Sequence, residues 1–275
     1  MKLNHRSLLL AALVLTIALI MPGCITIDGG GIGTTTDTFE ETYPVTAGTR
    51  LDIQNRNGSI TIVPVDGESI VVHAVKRTSY GKSEFDKIRI DVTNGDPFTV
   101  ATTVLREPAR VSVDYELRIP RSMLVRTADT TNGSIEVTGV KGTMELHSSN
   151  GSVTAENVDG AVRATTTNGN ITLHNVTAVT GVTTTNGAIE CEVAALDGTS
   201  VDVHTTNGNL ALWVRPDLPA TLEASTTNGN LVMDGITLDN ATMSKRSIRG
   251  DLGVPGGTLS AKTTNGNLTV HRLNP

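Results

Sequence analysis

The sequence predicts an all-β fold, a β-solenoid with an N-terminal β-rich cap, and three observations favour it. Thr-Thr-Asn-Gly, or a close variant, recurs every 16 to 21 residues in the second half of the chain. Apolar residues follow each repeat glycine at alternate positions, which is the period of a strand whose side chains point to opposite faces. Threonine, which favours strands, is abundant, as are asparagine and glycine, which favour tight turns.

Each repeat is predicted to contribute two short strands that meet at an Asn-Gly corner. The residue two positions after the repeat glycine is aliphatic and the one four positions after it is apolar. From Gly151 onward, the residue seven positions before the glycine is apolar except at Thr180. The glycines that align the repeats are Gly133, Gly151, Gly169, Gly187, Gly208, Gly229, Gly250 and Gly266, and an isolated Asn57-Gly58 precedes them.

Two architectures satisfy this pattern. In an antiparallel meander, each Asn-Gly would be the turn of a β-hairpin. In a β-solenoid, each repeat would be one coil, and like residues would stack on like residues from coil to coil. Stacking is favoured because it requires equivalent positions to stay alike over many repeats. It would also align threonines and asparagines in polar ladders, with a corner glycine that accepts a positive φ.

The N-terminus resembles a lipoprotein signal peptide over residues 1–23. A cationic start that contains Lys2 and Arg6 precedes an uncharged apolar run, residues 8–21, that is shorter than the roughly 20 residues of a membrane-spanning helix. A small residue, Gly23, then precedes Cys24. The resemblance implies that Cys24 receives diacylglycerol and anchors the mature chain in a membrane.

Three segments are predicted after the signal peptide. Residues 24–38 form a Gly/Thr-rich tether. Residues 39–120 form an N-terminal β-rich region with turn signals between short apolar stretches. Residues 121–275 form the repeat β-solenoid.

The order of motifs resembles a known family. Val111 to Pro120 alternates like a strand, Leu124-Val125-Arg126 follows it, and Thr130-Thr131-Asn132-Gly133-Ser134-Ile135-Glu136-Val137 opens the repeats. This order is similar to the putative adhesin family of bacterial and archaeal envelope proteins, and the similarity extends over nearly all of residues 38–274. The resemblance implies a β-solenoid-like fold and a location in the cell envelope, but no catalytic residues, and a fold does not establish a function.

A surface-binding column is predicted five residues after the repeat glycine, on the outward face. In a solenoid its members lie about 4.8 Å apart, close enough for the carboxylates and the imidazole to bind a cation or for the indole to stack on a sugar. Outward strand positions are also simply polar in most proteins, and a histidine between two glutamates relieves like-charge repulsion. The surface-binding column consists of Glu156, His174, Glu192, Trp213 and Asp234.

Two other positions invite a chemical interpretation. Asp202 and Glu223 share an outward offset and are predicted to be neighbours. Cys191 falls in an apolar column, so we interpret it as a small buried hydrophobic residue.

Several functions are excluded. The scarcity of aromatic residues and the net charge of −6 argue against a nucleic-acid partner. The sequence holds no phosphate-binding loop, nucleophile elbow or zinc motif, so neither a metal site nor a cofactor nor a catalytic residue is predicted.

We therefore expect a non-catalytic, lipid-anchored protein of the cell envelope, at the cell surface or in the periplasm, that acts as an adhesin or envelope scaffold. Its predicted partners are the membrane, through lipidated Cys24, and an envelope glycan or protein. End-on self-association is also predicted, because the chain ends soon after Val270 and leaves a strand edge uncovered. The alternatives are an envelope-stress or regulatory binding protein, and a carbohydrate-active β-helix enzyme that uses the surface-binding column.

Overall fold

The computed structural model describes residues 33–198, 200–254 and 256–273. The predicted signal peptide, Cys24 and most of the predicted tether lie outside the described residues. The described chain contains one 3-10 helix, Lys82–Lys87, and 21 strands. In chain order the strands are β1 Thr35–Pro44, β2 Arg50–Gln54, β3 Ile60–Val65, β4 Ser69–Thr78, β5 Ile88–Thr93, β6 Phe98–Val104, β7 Ser112–Pro120, β8 Leu124–Asn132, β9 Ile135–Thr138, β10 Met144–Asn150, β11 Val153–Asn168, β12 Ile171–Asn186, β13 Ile189–Val193, β14 Ser200–Asn207, β15 Leu210–Val214, β16 Ala220–Asn228, β17 Leu231–Asp234, β18 Asp239–Met243, β19 Ser247–Asp251, β20 Gly257–Asn265 and β21 Leu268–Arg272.

The repeats form the coils of a solenoid. A coil consists of the strand that leads to an Asn-Gly corner and the strand that follows it, and each coil is named by its corner glycine. Neighbouring coils pair in parallel at equal repeat positions, as in the pairs Leu146 with Ala164 and Ala155 with Leu173. The predicted solenoid is confirmed, and the antiparallel meander is wrong for these coils.

The order of the coils in the stack differs from their order along the chain. The stack runs through the Gly58, Gly133, Gly151, Gly169, Gly187, Gly208, Gly266 and Gly229 coils. The last coil of the sequence, Gly266, is inserted: β20 lies between β14 and β16, and β21 lies between β15 and β17. The expectation that the C-terminal repeat ends the stack is therefore wrong.

The repeat at Gly250 is not a coil. β18 and β19 form an antiparallel hairpin, and β19 pairs antiparallel with β16 at the end of the stack. This repeat lacks the corner asparagine, so it cannot extend a ladder of stacked corners. Met243 and Val254, which the repeat pattern predicts to be buried, are 65% and 78% exposed, whereas Ile248 and Leu252 are buried in the core.

The N-terminal strands cap the other end. β6 and β7 pair in parallel with β2 and β3 of the Gly58 coil. Antiparallel strands extend this layer, with β5 on β6, β4 on β7 and β1 on β4. The predicted N-terminal β-rich cap is confirmed, while the division of the chain into domains at residue 120 stays a prediction.

Aliphatic columns fill the space between the strands of each coil, and Thr180, the polar exception in its column, is accommodated by a bulge. Val162 pairs with Val179, and the next pair is Arg163 with Gly181, so Thr180 is the extra residue. Val179 is fully buried and occupies the core position in its place. The core therefore remains apolar despite the threonine.

Candidate functional site

The Asn-Gly corners form one asparagine ladder along the solenoid. In each rung, the side-chain amide donates to Oδ1 of the asparagine in the preceding coil, at 2.7 to 2.9 Å. All seven bonds run in the same direction. In stack order the rungs are Asn57, Asn132, Asn150, Asn168, Asn186, Asn207, Asn265 and Asn228.

A second ladder lies just inside the first. In the seven coils after the Gly58 coil, the hydroxyl three positions before the corner glycine is buried and donates to the carbonyl oxygen of the corner glycine in the preceding coil, at 2.8 to 3.2 Å. Each buried hydroxyl is thereby satisfied, which a buried polar group requires. The residues are Thr130, Ser148, Thr166, Thr184, Thr205, Thr263 and Thr226.

The corner glycines are needed for close packing, not for a left-handed backbone. From Gly151 onward, the φ of the corner glycine lies outside the positive region. A Cβ at Gly187 would overlap the carbonyl oxygen of Gly169, and the same overlap recurs at the other stacked corners. The prediction that these glycines accept a positive φ is wrong from Gly151 onward and holds at Gly58 and Gly133, where φ is 115° and 159°.

The predicted surface-binding column is brought into one row, and the structure adds a member to it. Glu156 pairs with His174 on neighbouring strands, and Glu192 pairs with Trp213. Asp234 does not follow Trp213 directly, because His271 of the inserted coil pairs with both. His271 stands five residues after Gly266, so its offset is visible in the sequence, but its place between Trp213 and Asp234 is not.

Hydrogen bonds and ring stacking fix the side chains of this row. Nδ1 of His174 lies 3.2 Å from Oε1 of Glu192, whose other oxygen accepts the backbone N–H of Asn175 at 2.8 Å. The Trp213 ring stacks on the His271 ring, with centroids 4.9 Å apart, and Nδ1 of His271 lies 2.9 Å from Asp234 Oδ2.

The indole of Trp213 has neighbours on both sides along the row. His271 covers one side, and the His174 ring, tilted by 57°, lies 6.3 Å away on the other. A sugar could not stack on the His271-covered face without displacing that ring. The row is therefore better suited to hydrogen bonding and ionic contacts through its outer edge than to stacking.

Asp202 and Glu223 are not neighbours, contrary to the sequence-based prediction. Ser260 of the inserted coil pairs with both of them. Glu223 accepts a hydrogen bond from Arg249 of the hairpin at 2.6 Å. The insertion that adds His271 to one row thus separates the two carboxylates of another.

Cys191 is fully buried in the core, as predicted. Burial raises the pKa of its thiol to about 12, because the thiolate would lose its hydration. A thiol held neutral at physiological pH is a poor nucleophile.

Neither a metal cluster nor a membrane-spanning helix is found in the described ranges. No group of three or more His, Cys, Asp or Glu side chains in residues 33–198, 200–254 and 256–273 could hold a metal ion. Among the same residues, no helix has the length and hydropathy to cross a bilayer.

Similarity to known proteins points to one family. The DUF4097 family, described as Toastrack, matches residues 125–271, more than half of the chain. No curated protein sequence is significantly similar to the chain.

Three solved structures are similar to the chain at low sequence identity. A putative cell adhesion protein from Clostridium sporogenes is 10% identical, with 86% of this chain and 100% of that chain covered at a TM-score of 0.34. A putative adhesin from Bacteroides fragilis is 12% identical, with coverage of 86% and 97% and a TM-score of 0.37. A putative lipid binding protein from Parabacteroides distasonis is 11% identical, with coverage of 90% and 99% and a TM-score of 0.34. At these identities and scores, their names say nothing about what this chain binds.

Proposed function

We propose that this chain, which belongs to the Toastrack DUF4097 family, is a lipid-anchored envelope protein that binds a ligand on the rigid outer face of its solenoid and catalyses no reaction. The observation that carries the proposal is the surface-binding column, extended by His271. It lines up ionisable and aromatic groups on six neighbouring strands without help from any long loop.

The ladders supply the rigidity that such a surface needs. Side-chain amides link all eight corners, and buried hydroxyls link the same corners from within. The outward side chains are therefore held at the spacing of the strands before a ligand arrives. Binding groups that are ordered in advance lose little conformational entropy when they bind.

The position of β1 is consistent with an anchor at one end. β1 is an edge strand beside β4 in the cap, so the chain enters the solenoid at the end opposite the β18–β19 hairpin. If Cys24 carries lipid, the Gly229 coil and the hairpin lie at the end away from the membrane. The surface-binding column extends from the Gly151 coil toward that distal end.

The ligand class that suits the column is a hydrogen-bonding polymer of the envelope, a glycan or an extended protein segment. The outer edge of the row combines carboxylates, which accept hydrogen bonds, with imidazole and indole N–H groups, which donate them. Three of the six side chains in the row are carboxylates, and two of these lie beside a histidine, Glu192 beside His174 and Asp234 beside His271.

Binding of the purified chain to envelope fractions of its source cells tests this proposal. We expect the double variant His174→Ala, His271→Ala to bind at least about tenfold more weakly, a loss of about 1.4 kcal/mol. The matched control is His147→Ala, His204→Ala, which removes two outward histidines from strands before the corners. Equal binding by both double variants would rule out the column as the binding surface.

Cys24→Ser tests the anchor separately. A lipid-anchored protein should move from the membrane fraction to the soluble fraction when Cys24 is replaced, because a hydroxyl at that position would not take the thioether-linked lipid. If the variant stays in the membrane fraction as firmly as the original protein, the chain is held there by something other than this lipid.

A further inference from the structure

The sequence contains nine Asn-Gly pairs, and an Asn-Gly pair is chemically labile. The glycine nitrogen can attack the side-chain carbonyl carbon of the asparagine because glycine has no side chain to block the approach. Eight of the pairs are corners of the ladder. The pairs begin at Asn57, Asn94, Asn132, Asn150, Asn168, Asn186, Asn207, Asn228 and Asn265.

Seven of these glycine N–H groups are hydrogen-bonded. Each donates to the carbonyl oxygen of the asparagine in the next coil of the stack, at 2.7 to 3.1 Å. A nitrogen whose N–H is held in this bond keeps its proton, which must leave before the nitrogen can attack the side chain. The bonded glycines are Gly58, Gly133, Gly151, Gly169, Gly187, Gly208 and Gly266.

Gly229 is the exception in the ladder because its coil is the last in the stack. Its N–H has no hydrogen-bond acceptor within the described residues, and Oδ1 of Asn228 accepts no hydrogen bond there. The β18–β19 hairpin does not extend this far: its last contact toward the corner is the bond from the Thr226 N–H to the Arg246 carbonyl. The Asn228 side chain is exposed.

Gly95, outside the ladder, is the other exception. It follows Asn94 in the exposed loop between β5 and β6, and its N–H likewise lacks an acceptor in the part of the chain that the structure describes. Asn94 donates to the Pro44 carbonyl at 3.2 Å. The two unprotected pairs therefore resemble each other, since each keeps one side-chain bond and lacks the backbone bond.

We propose that Asn94 and Asn228 are sites of spontaneous deamidation in the folded protein and that stacking protects the other seven pairs. The glycine nitrogen loses its proton and forms a bond to Cγ of the asparagine. The bond from Cγ to Nδ2 breaks, and ammonia leaves. Water then opens the resulting succinimide ring to aspartate or isoaspartate, so one water is consumed and one ammonia is released.

The reaction at Asn228 would alter the end of the ladder. A carboxylate cannot donate the bond that Asn228 now makes to Oδ1 of Asn265 at 2.8 Å, and two acceptor oxygens would face each other instead. The end of the otherwise uncharged ladder would also gain a negative charge. Deamidation would therefore alter the ladder first at the Gly229 coil.

Incubation of the intact protein in mildly alkaline buffer, followed by proteolysis and tandem mass spectrometry, tests the proposal. We expect deamidation at Asn94 and Asn228 to be about tenfold faster or more than at the other seven pairs, which must wait for local opening. In denaturant, all nine pairs should react at similar rates. Asn228→Gln, whose longer side chain disfavours the five-membered ring, should abolish the reaction at that position and leave Asn94 unchanged.

Two results would overturn the proposal. In the folded protein, reaction of the internal pairs as fast as Asn228 would show that stacking gives no protection. Reaction of Asn94 alone, with Asn228 as slow as Asn207, would show that the last rung is protected by something other than a bonded glycine N–H.

Discussion

Asn265 donates its side-chain amide to Oδ1 of Asn207 at 2.8 Å, although 58 residues separate the two along the chain. The rung between the last two coils is made the same way, by Asn228 and Asn265. The C-terminal coil thus completes the ladder from within the stack. β14 and β16, which precede it in the sequence, each pair with β20 instead of with each other.

This insertion predicts an unusual pattern of backbone protection. A C-terminal strand normally frays, but β20 and β21 have strands on both sides. We expect their amides to exchange with solvent as slowly as those of β14 and β15, and more slowly than those of the edge strands β17 and β18. Hydrogen exchange measured by mass spectrometry would show this. Fast exchange across residues 257–272 would contradict the inserted position.

The asparagine ladder should contribute measurably to stability. Asn168→Ala removes two side-chain bonds, to Asn150 and from Asn186, at 2.8 Å each. We expect a loss of about 1–2 kcal/mol in the free energy of unfolding, at roughly half to one kcal/mol for each exposed bond. Thr167→Ala, an exposed neighbour, is the control and should cost about 0.5 kcal/mol or less. If urea titrations gave the same loss of stability for Asn168→Ala and Thr167→Ala, the asparagine ladder would not stabilise the fold.

The inner hydroxyl ladder gives a sharper contrast. Thr184 is 1% exposed and donates to the Gly169 carbonyl at 3.0 Å, whereas Thr185 is exposed. Thr184→Val keeps the shape but removes the donor, so we expect a loss of about 1–3 kcal/mol from the unsatisfied carbonyl. Thr185→Val should change stability little. Thermal unfolding of the two variants measures this difference in stability. If Thr184→Val were as stable as the original protein, the hydrogen bond from Thr184 to the Gly169 carbonyl would not stabilise the fold.

Close stacking should make the corner glycines intolerant of any side chain. A Cβ at Gly187 would overlap the Gly169 carbonyl oxygen, so Gly187→Ala must push two coils apart. We expect it to cost about 3 kcal/mol or more. At Gly95 a Cβ would lie 3.6 Å from the nearest atom, the Pro97 carbonyl oxygen, and Gly95→Ala should be nearly neutral. The urea midpoints of the two variants measure these changes in stability. A small loss for Gly187→Ala would show that two coils can move apart at little cost in free energy.

The buried thiol makes stability depend on alkaline pH. Burial raises the pKa of Cys191 to about 12, so only the unfolded chain releases this proton near the ordinary thiol pKa of about 8.5. The resulting stabilisation is complete below about pH 8.5 and is lost as pH rises toward 12. In a Cys24→Ser background, Cys191→Ala should weaken this alkaline loss. At pH 8, a thiol reagent should label Cys191 only in denaturant, and rapid labelling of the folded protein would contradict its burial.

The fold could be predicted from the sequence because the signal is repeated. One apolar residue at a strand spacing means little, but three apolar columns aligned over seven or eight repeats favour stacking over hairpins, and the paired positions confirm it. Trp213 and Glu192 could be placed side by side for the same reason. The role of the corner glycines could not be predicted from the sequence, because the space that a Cβ would need is occupied by the carbonyl oxygen of another coil.

The sequence by itself determined that each repeat with an Asn-Gly corner supplies two strands and apolar residues that face inward. It could not determine which coil lies beside which. Near-identical coils offer one another nearly the same hydrogen bonds and apolar contacts, so local pattern does not distinguish one neighbour from another. Only the tertiary structure determined the order of the coils: the hairpin at residues 239–251 pairs with β16 of the Gly229 coil, and the last strands lie between two earlier coils. This order of coils places the ring of His271 against that of Trp213 and leaves the Asn228 corner at the end of the ladder.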